Sequence, residues 1–200
     1  MISSYSDLQY YLACDKASLG ITRRYPRFMS DDIWRFEILM RWREYLTNVS
    51  KGLFCSICFR IADAFLHYLY KRRSIKLGFS IPLNTFGPGL AIVHYGTIVV
   101  AENSVIGCNC RIHEGVTLGA TNKSFMAPIL GDNVFVGSGA KIIGNVHIAS
   151  NTQIAANAVV IKDIEQVGTW GGVPAKRISA NDSSLNLIRG TELVSNQLKR

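Results

Sequence analysis

The sequence has few histidines, few acidic residues and no long uncharged apolar run. It holds four histidines and five prolines in 200 residues, and 14 acidic residues against 22 lysines and arginines. The most apolar run, Leu53 to Tyr70, is interrupted by Arg60, Asp63 and His67, whereas a bilayer span needs about 20 mostly uncharged residues. The N-terminus lacks the order of basic, apolar and small residues that marks a signal peptide. We therefore expect a cytoplasmic protein without a membrane span.

The formal charge of +8 raises the question of a nucleic-acid partner. Basic residues cluster at 23–27, at 71–76 and at the C-terminus, yet no aromatic-interleaved basic motif and no known DNA-binding pattern accompanies them. We therefore expect no nucleic-acid partner. A phosphate-bearing small molecule would suit the same charge, and a basic surface without a specific ligand remains an alternative.

From residue 100 onward an aliphatic residue recurs at every sixth position. Period six fits neither an isolated helix nor an alternating strand. It is typical of a parallel β-helix of triangular section, in which each hexapeptide forms one side and three form a coil. Small residues follow many of the aliphatics, which lets the backbone turn each corner. The series comprises Val100, Ile106, Ile112, Leu118, Leu130, Val136, Ile142, Ile148, Ile154 and Val160.

The rest of the chain divides around this series. Residues 1–76 read as a helical N-terminal domain, in which Ser30 and Asp31 can cap a helix running to about Thr47, and a third helix is predicted over residues 53–73. Residues 77–180 form the solenoid domain, with irregular first coils rich in proline and glycine. Residues 181–200 form a polar tail that is either mobile or a short helix.

Residues 119–129 keep the six-residue phase, but Ser124 stands where an aliphatic residue is expected. We predict a loop that bulges from the solenoid and forms a ligand wall; a tolerated surface loop is the alternative. The cysteines are expected to pack as small hydrophobes. Cys55 and Cys58 lie in a helical pattern, and Cys110 falls on an inward column, so neither zinc nor a disulfide is predicted.

The histidines are the candidates for chemistry. His94 could serve as a general base that deprotonates an alcohol, or it could be a packed or exposed histidine; counting back in sixes puts it on the aliphatic column. His113, at a corner, could line a groove between solenoids or point to solvent. His147 is expected to face outward and His67 to belong to the helical region. The histidines lack the close pair that a metal-dependent solenoid site usually has, so no metal is predicted.

Three segments carry a family resemblance. His94–Ala120 reads HYGTIVVAENSVIGCNCRIHEGVTLGA, and GSGAKIIGNV and WGGVPAKRIS follow it. Together they resemble the hexapeptide-repeat acyltransferases, and among them the serine O-acetyltransferases, over about residues 79–180. The resemblance implies an α+β fold, with the helical domain followed by a left-handed parallel β-helix. It also implies a homotrimer, with a dimer of trimers as an open possibility.

The same resemblance implies acetyl-CoA as co-substrate and assigns roles to residues. His94 would be the general base and Glu102 a glutamate near the active site. Small residues and one lysine would contact CoA, and His113 would lie with the acceptor; the position of a substrate-binding histidine falls on Ala127. The expected CoA-binding residues are Gly119, Ala120, Thr121, Ser138, Ala156 and Lys176.

Three charged residues of the serine pocket are missing. The aspartate that orients the base aligns with Phe79, and the aspartate before the base is Val93; Ala127 replaces the histidine expected to help hold the carboxylate. Losing one charge-assisted hydrogen bond costs roughly 1.5–3 kcal/mol. The leading hypothesis is an acetyl-CoA-dependent serine O-acetyltransferase of cysteine biosynthesis. The alternatives are an O-acetyltransferase acting on a sugar or polysaccharide hydroxyl, and a non-catalytic solenoid that binds or assembles partners.

Overall fold

Helices surround the first coils of a solenoid in a computed structural model that describes residues 1–49, 57–121 and 125–198. The helices are α1 (Tyr5–Ser18), α2 (Asp32–Val49), α3 (Ile57–Leu77) and α4 (Gly190–Leu198). Ser4 caps α1, because its hydroxyl accepts the backbone N–H of Asp7 at 3.1 Å. Helix α3 continues four residues beyond its predicted end at Arg73, and the predicted residues 53–56 lie outside the described residues. No described helix is long and apolar enough to cross a bilayer.

Short strands build the solenoid, most of them two or three residues long. They are β1 (Phe79–Ser80), β2 (Ala91–Ile92), β3 (Ile98–Val100), β4 (Val105–Ile106), β5 (Arg111–Ile112), β6 (Thr117–Gly119), β7 (Ile129–Leu130), β8 (Phe135–Val136), β9 (Lys141–Ile143), β10 (His147–Ile148), β11 (Gln153–Ile154), β12 (Val159–Val160), β13 (Thr169–Gly171) and β14 (Lys176–Ser179).

These strands stack into three sheets that form the faces of a prism. The first face contains β1, β3, β6, β9 and β12, the second β4, β7 and β10, and the third β2, β5, β8, β11, β13 and β14. Pairing is parallel except between β13 and β14. Because the chain visits the third, first and second faces in turn, each coil crosses three edges, and residues at one edge lie above one another.

The six-residue series predicts the interior of the prism correctly. All ten aliphatic residues of the series are at most 4% exposed. Leu118 lies between Val100 and Ile142 in the first face, so aliphatic side chains stack on one another from coil to coil. Cys110 is 1% exposed and belongs to this core, as predicted.

Between β6 and β7 the chain leaves the prism, as the interrupted phase predicts. The described part of this segment runs irregularly, with Phe125 91% exposed. Asn103 holds it by donating its side-chain N–H to the Phe125 carbonyl at 2.8 Å. Ser124 lies outside the described residues.

An asparagine ladder runs along the edge between the second and third faces, here called the asparagine edge. Asn109, Asn133 and Asn151 all have positive φ angles of 54–61°. The side-chain amide of Asn109 donates to Asn133 at 2.8 Å, and that of Asn133 donates to Asn151 at 2.9 Å. Asparagine tolerates this left-handed conformation better than most residues, so one residue type both turns the corner and links successive coils.

The polar tail contains helix α4, which packs against α1. Gly190 begins α4 and approaches α1 so closely that a Cβ there would lie 2.2 Å from the Cys14 carbonyl oxygen. Its N–H donates to the Ser18 hydroxyl at 3.1 Å. Of the two expectations for this segment, the short helix is therefore correct.

Candidate functional site

His94 lies on the edge where the third face passes into the first, just after strand β2. The buried Glu37 of α2 accepts the N–H of Ile92 at 2.9 Å, and Val93 donates to the Ile112 carbonyl at 3.2 Å. These contacts fix the strand that carries the imidazole. The expectation that His94 occupies the aliphatic column is wrong: Ile92 pairs with Ile112 in that column, and His94 is exposed. The irregular first coils shift the phase by two residues.

His113 and Glu114 lie beside His94, one coil further along the same edge. The ring centroids of His94 and His113 are 5.8 Å apart. A ring nitrogen of each histidine and a carboxylate oxygen of Glu114 all lie within 4.8 Å of one another, so the expectation that the histidines lack a close pair is wrong, and these three side chains could together hold a metal ion. His113 Nδ1 is 4.0 Å from Glu114 Oε2. His113 does not simply point to solvent, because it is half-buried and its ring packs against Phe135 at 5.1 Å; that it lines a groove between solenoids stays a prediction.

His113 and Glu114 differ in charge near neutral pH. Burial lowers the pKa of His113, and the nearby Arg111 adds to this effect, so the ring is neutral. Hydrogen bonds from its own backbone N–H and from the Ser138 side chain lower the pKa of Glu114, and His94 and His113 contribute. Glu114 is therefore a carboxylate. The site thus places one negative charge next to two imidazoles.

Glu114 is the residue that the sequence analysis missed. Glu114 is not one of the motif positions that carry the resemblance. It follows His113 at a corner of the coil, where a solvent-facing residue is expected. Its closeness to His94 depends on Gly96: a Cβ at Gly96 would lie 3.0 Å from the Glu114 Cβ. A hint lay in the spacing, since His94 and Glu114 are about one coil apart.

A half-open cleft of about 550 Å³ adjoins His94 and is walled by the chain between α1 and α2. Its apolar lining includes Ile21, Ile33 and Ile92, and Asp31 and Asp32 supply its carboxylates. These carboxylates already have cationic partners. They are Arg23 for Asp31, at 2.5 Å, and Lys76 and Arg73 for Asp32, at 2.9 and 3.1 Å.

Hydrogen bonds also hold these two carboxylates in the ionised form. The N–H of Arg27 and the Arg23 pair lower the pKa of Asp31. Lys76 and Arg73 lower that of Asp32. A bound cationic group would have to compete with these partners for either carboxylate.

The residues expected to contact CoA lie on two different edges. Ser138 and Ala156 follow His94 along what we call the histidine edge, where Asn157 donates its N–H to the Ser138 carbonyl at 2.8 Å. Lys176 is exposed in β14, at the far end of that edge. Gly119 ends β6, and Ala120 and Thr121 follow it, so these residues lead into the next edge, between the first and second faces.

Glu102 also lies on that second edge, because it follows β3, whereas His94 precedes it. It is exposed, and no hydrogen bond or ion pair joins it to a residue that the structure describes. Its role near the active site therefore stays a prediction. Ala127 is 3% exposed, so its methyl group faces the interior of this chain. Val93, by contrast, does line the cleft beside His94.

Phe79 stands where the resemblance places an orienting aspartate, and it belongs to the core. Its side chain is 4% exposed and packs edge-on against Phe36, with ring centroids 5.1 Å apart. The expected position therefore supplies no carboxylate to His94.

Comparison with known proteins gives consistent results. The family described as bacterial transferase hexapeptide (six repeats) matches residues 127–162. Serine acetyltransferase from Helicobacter pylori is 34% identical over 143 residues, which cover 64% of this chain and 81% of that protein. Serine acetyltransferase from Synechococcus elongatus is also 34% identical, over 64% of this chain and 57% of that protein.

A solved structure described as serine acetyltransferase in complex with coenzyme A, from Brucella abortus, superposes with a TM-score of 0.64. It is 28% identical and covers 88% of this chain and 68% of that one. The chain thus spans little more than half of the Synechococcus protein but four-fifths of the Helicobacter one. On the similarity to the Helicobacter protein, the chain belongs to the serine acetyltransferase family of hexapeptide-repeat proteins.

Proposed function

We propose that this chain is an acetyl-CoA-dependent O-acetyltransferase with His94 as its general base. The observation that carries the proposal is the exposed imidazole at the mouth of a cleft, on the edge that also bears Ser138 and Ala156. Family membership supports the chemistry, and a relative has been solved with coenzyme A bound. The left-handed sense of the coil is part of the same proposal.

The reaction would be a direct transfer within a ternary complex. His94 takes the proton from the acceptor hydroxyl while the oxygen attacks the thioester carbonyl. Backbone N–H groups stabilise the oxyanion that forms. The carbon–sulfur bond then breaks, and the imidazolium returns its proton to the CoA thiolate. The products are an O-acetyl ester and CoA, and no metal takes part.

The CoA slot would be shared between copies of the chain. The residues expected to contact CoA lie on two edges of the chain, and the first face separates these edges. One extended CoA molecule would contact both sets of residues if the two edges came from adjacent protomers. This favours the homotrimer. Exposed apolar residues also line one face of α3, with Ile61, Phe65 and Tyr68 each more than half exposed. This face would suit the joining of two trimers.

L-serine is the first candidate acceptor, because the relatives are named for it. Cysteine biosynthesis in the cytoplasm would then be the setting. The cleft favours a second candidate, a sugar or polysaccharide hydroxyl. Its volume of about 550 Å³ lies in the range of roughly 300–1,000 Å³ that holds ligands much larger than serine. Both of its carboxylates already have cationic partners, and Val93 offers no charge to an ammonium group.

Release of free CoA thiol from acetyl-CoA tests the proposal against a panel of L-serine, L-homoserine and sugars. We expect one acceptor class to stand out, and His94→Asn to lower its rate roughly 10²–10⁴-fold. CoA at 100 times its Kd should stabilise the protein by about 2.7 kcal/mol. His147→Asn, at an exposed histidine in strand β10 of the second face, is the matched control and should retain the rate. Turnover that survives His94→Asn would remove His94 as the base, whereas no thiol release with any acceptor and no CoA-induced stabilisation would favour the non-catalytic solenoid.

A further inference from the structure

The base of the proposed reaction lacks the aspartate that the family resemblance leads one to expect. An imidazole acts well as a base when a carboxylate holds its other N–H, because this fixes the tautomer and stabilises the cation that forms. Phe79 occupies the aspartate's position and is buried among aromatic rings. A backbone carbonyl or another subunit could hold the ring, but only a carboxylate from elsewhere in the fold would also supply the missing negative charge.

Glu114 lies where such a carboxylate is required. One of its oxygens is within 4.8 Å of a His94 ring nitrogen, and a hydrogen bond between them requires the exposed His94 side chain to rotate toward it, since such bonds span about 2.7–3.2 Å. Its Oε2 is inaccessible to solvent and has no hydrogen-bond partner among the residues that the structure describes. A buried acceptor without a donor is costly, and the ring N–H of His94 is a donor within reach.

We propose that Glu114 is the positioning residue for His94 and takes over, from a different coil, the role of the missing aspartate. The proposal rests on the proposed function, since only a catalytic His94 has a proton transfer to support. Glu114 does not touch the acceptor or CoA in this scheme. It acts through the imidazole alone.

The surroundings leave Glu114 free for this role. The neighbouring His113 is neutral and does not compete as a cation, and Arg111 lies on the strand that leads to it. Across the cleft, the charged groups are Asp31, Asp32 and Lys76. The two aspartates are bound to cations, and Lys76 to Asp32. Within residues 1–49, 57–121 and 125–198, Glu114 is thus the carboxylate near His94 that forms no ion pair with a lysine or arginine.

The fold also holds Glu114 in place. Its carbonyl accepts the N–H of Gly139 at 2.8 Å, and the nearby Ser138 side chain helps to lower the pKa of its carboxyl group. Gly96, two residues after His94, gives the Glu114 side chain room to pack beneath the turn that carries the base. Base and carboxylate are therefore positioned by one edge.

The first test compares Glu114→Gln with Glu114→Asp and with Glu165→Gln, an exposed control. Glu114→Gln should lower kcat roughly tenfold or more while leaving the KM for acetyl-CoA unchanged, because it removes only the charge. Glu114→Asp should recover part of the loss, and Glu165→Gln should match the wild type. An unchanged kcat in Glu114→Gln, or an equal loss in both Glu114 variants, would overturn the proposal.

The second test does not need turnover. Nitrogen-15 spectra of the histidine side chains in the free protein report the tautomer of each ring, and His94→Asn identifies the His94 signals. We expect Glu114→Gln to change the His94 tautomer ratio and Glu165→Gln to leave it unaltered. If the wild type transfers acetyl groups but this ratio does not respond, the inference fails and the proposed function stands. If the ratio responds but no acceptor is acetylated, the function fails and the contact stands. If Glu114→Gln does not fold, Glu114→Ala, which also removes the carboxylate, is compared with the wild type in the same way.

Discussion

Arg41 and Asp15 form a buried ion pair that ties two helices to the solenoid. Arg41 Nε donates to Asp15 Oδ2 at 2.7 Å, and both side chains are at most 2% exposed. Asp15 Oδ1 also accepts the backbone N–H groups of Gly89 and Leu90 at 2.8 and 2.9 Å. The remaining Arg41 nitrogens donate to Glu44 and to carbonyls of the first coil. One guanidinium therefore organises the junction that lies behind the strand carrying His94.

Breaking this pair should destabilise the protein strongly. Asp15→Asn leaves the Arg41 charge buried with less compensation, for which we expect a loss of about 3–5 kcal/mol, measured by urea unfolding. Glu192→Gln removes an exposed partner of Arg189 and is the control, with an expected change under about 1 kcal/mol. Equal midpoints for the two variants would contradict the assignment.

Glu37 makes stability depend on pH. Burial, and then the charge of Asp15, raise the pKa of Glu37 well above its usual value of 4.5. A group with a raised folded-state pKa stabilises the fold at low pH, and its contribution is lost as the pH rises through that pKa. Glu37→Gln keeps an oxygen for the Ile92 N–H and does not ionise. We therefore expect it to melt above the wild type at pH 8, with the difference shrinking toward pH 4. A variant that melts below the wild type at pH 8 would refute this.

Gly96→Ala should disturb the site as well as the backbone. Gly96 has a φ of 140°, and its new Cβ would press on Glu114 at 3.0 Å. We expect a stability loss of about 1–3 kcal/mol together with a lower kcat, measured on the folded fraction. Gly20→Ala is matched for positive φ, at 68°, but its nearest neighbour is the flexible end of Ile188 at 3.4 Å. It should lose stability without losing kcat; equal kcat values in both variants would count against the packing argument.

Lys176 should matter for CoA only. Lys176→Gln is expected to raise the KM for acetyl-CoA about two- to fivefold, the effect of one exposed charge pair, and to do so less at high salt because such pairs are screened. The acceptor KM should not move. Lys162→Gln, another exposed lysine of the solenoid, serves for comparison. Identical acetyl-CoA kinetics in the two variants would show that Lys176 does not contact CoA.

Chelation should leave the activity intact. The proposed transfer needs an imidazole and backbone N–H groups, so prolonged dialysis against EDTA should not change kcat. The check is thiol release before and after dialysis, with zinc or magnesium added back afterwards. A rate that falls on dialysis and returns with one ion would show that the transfer depends on a metal.

The regular coils were predictable because their period is dictated by geometry. An inward aliphatic such as Ile142 has to recur at each face, and sequence spacing records this directly. The first coils were not predictable in this way, since proline and glycine break the phase there, and His94 was consequently placed on the wrong column. Glu114 escaped notice because its role depends on which residue lies above it in the next coil. Phe79 showed that a carboxylate was missing but not where its replacement lies.

Residues of the C-terminal segment hydrogen-bond to the asparagine edge. Asn109 at one end of the ladder is tied to Thr191, whose N–H and hydroxyl both bond its side chain, at 3.0 and 2.7 Å. Further along, Ser183 donates to the Asn133 carbonyl and Arg189 reaches the Asn151 amide oxygen. Residues 183–191 of the polar tail thus hydrogen-bond to several coils at once. Removing them would break these hydrogen bonds and expose the amides of the asparagine ladder to water.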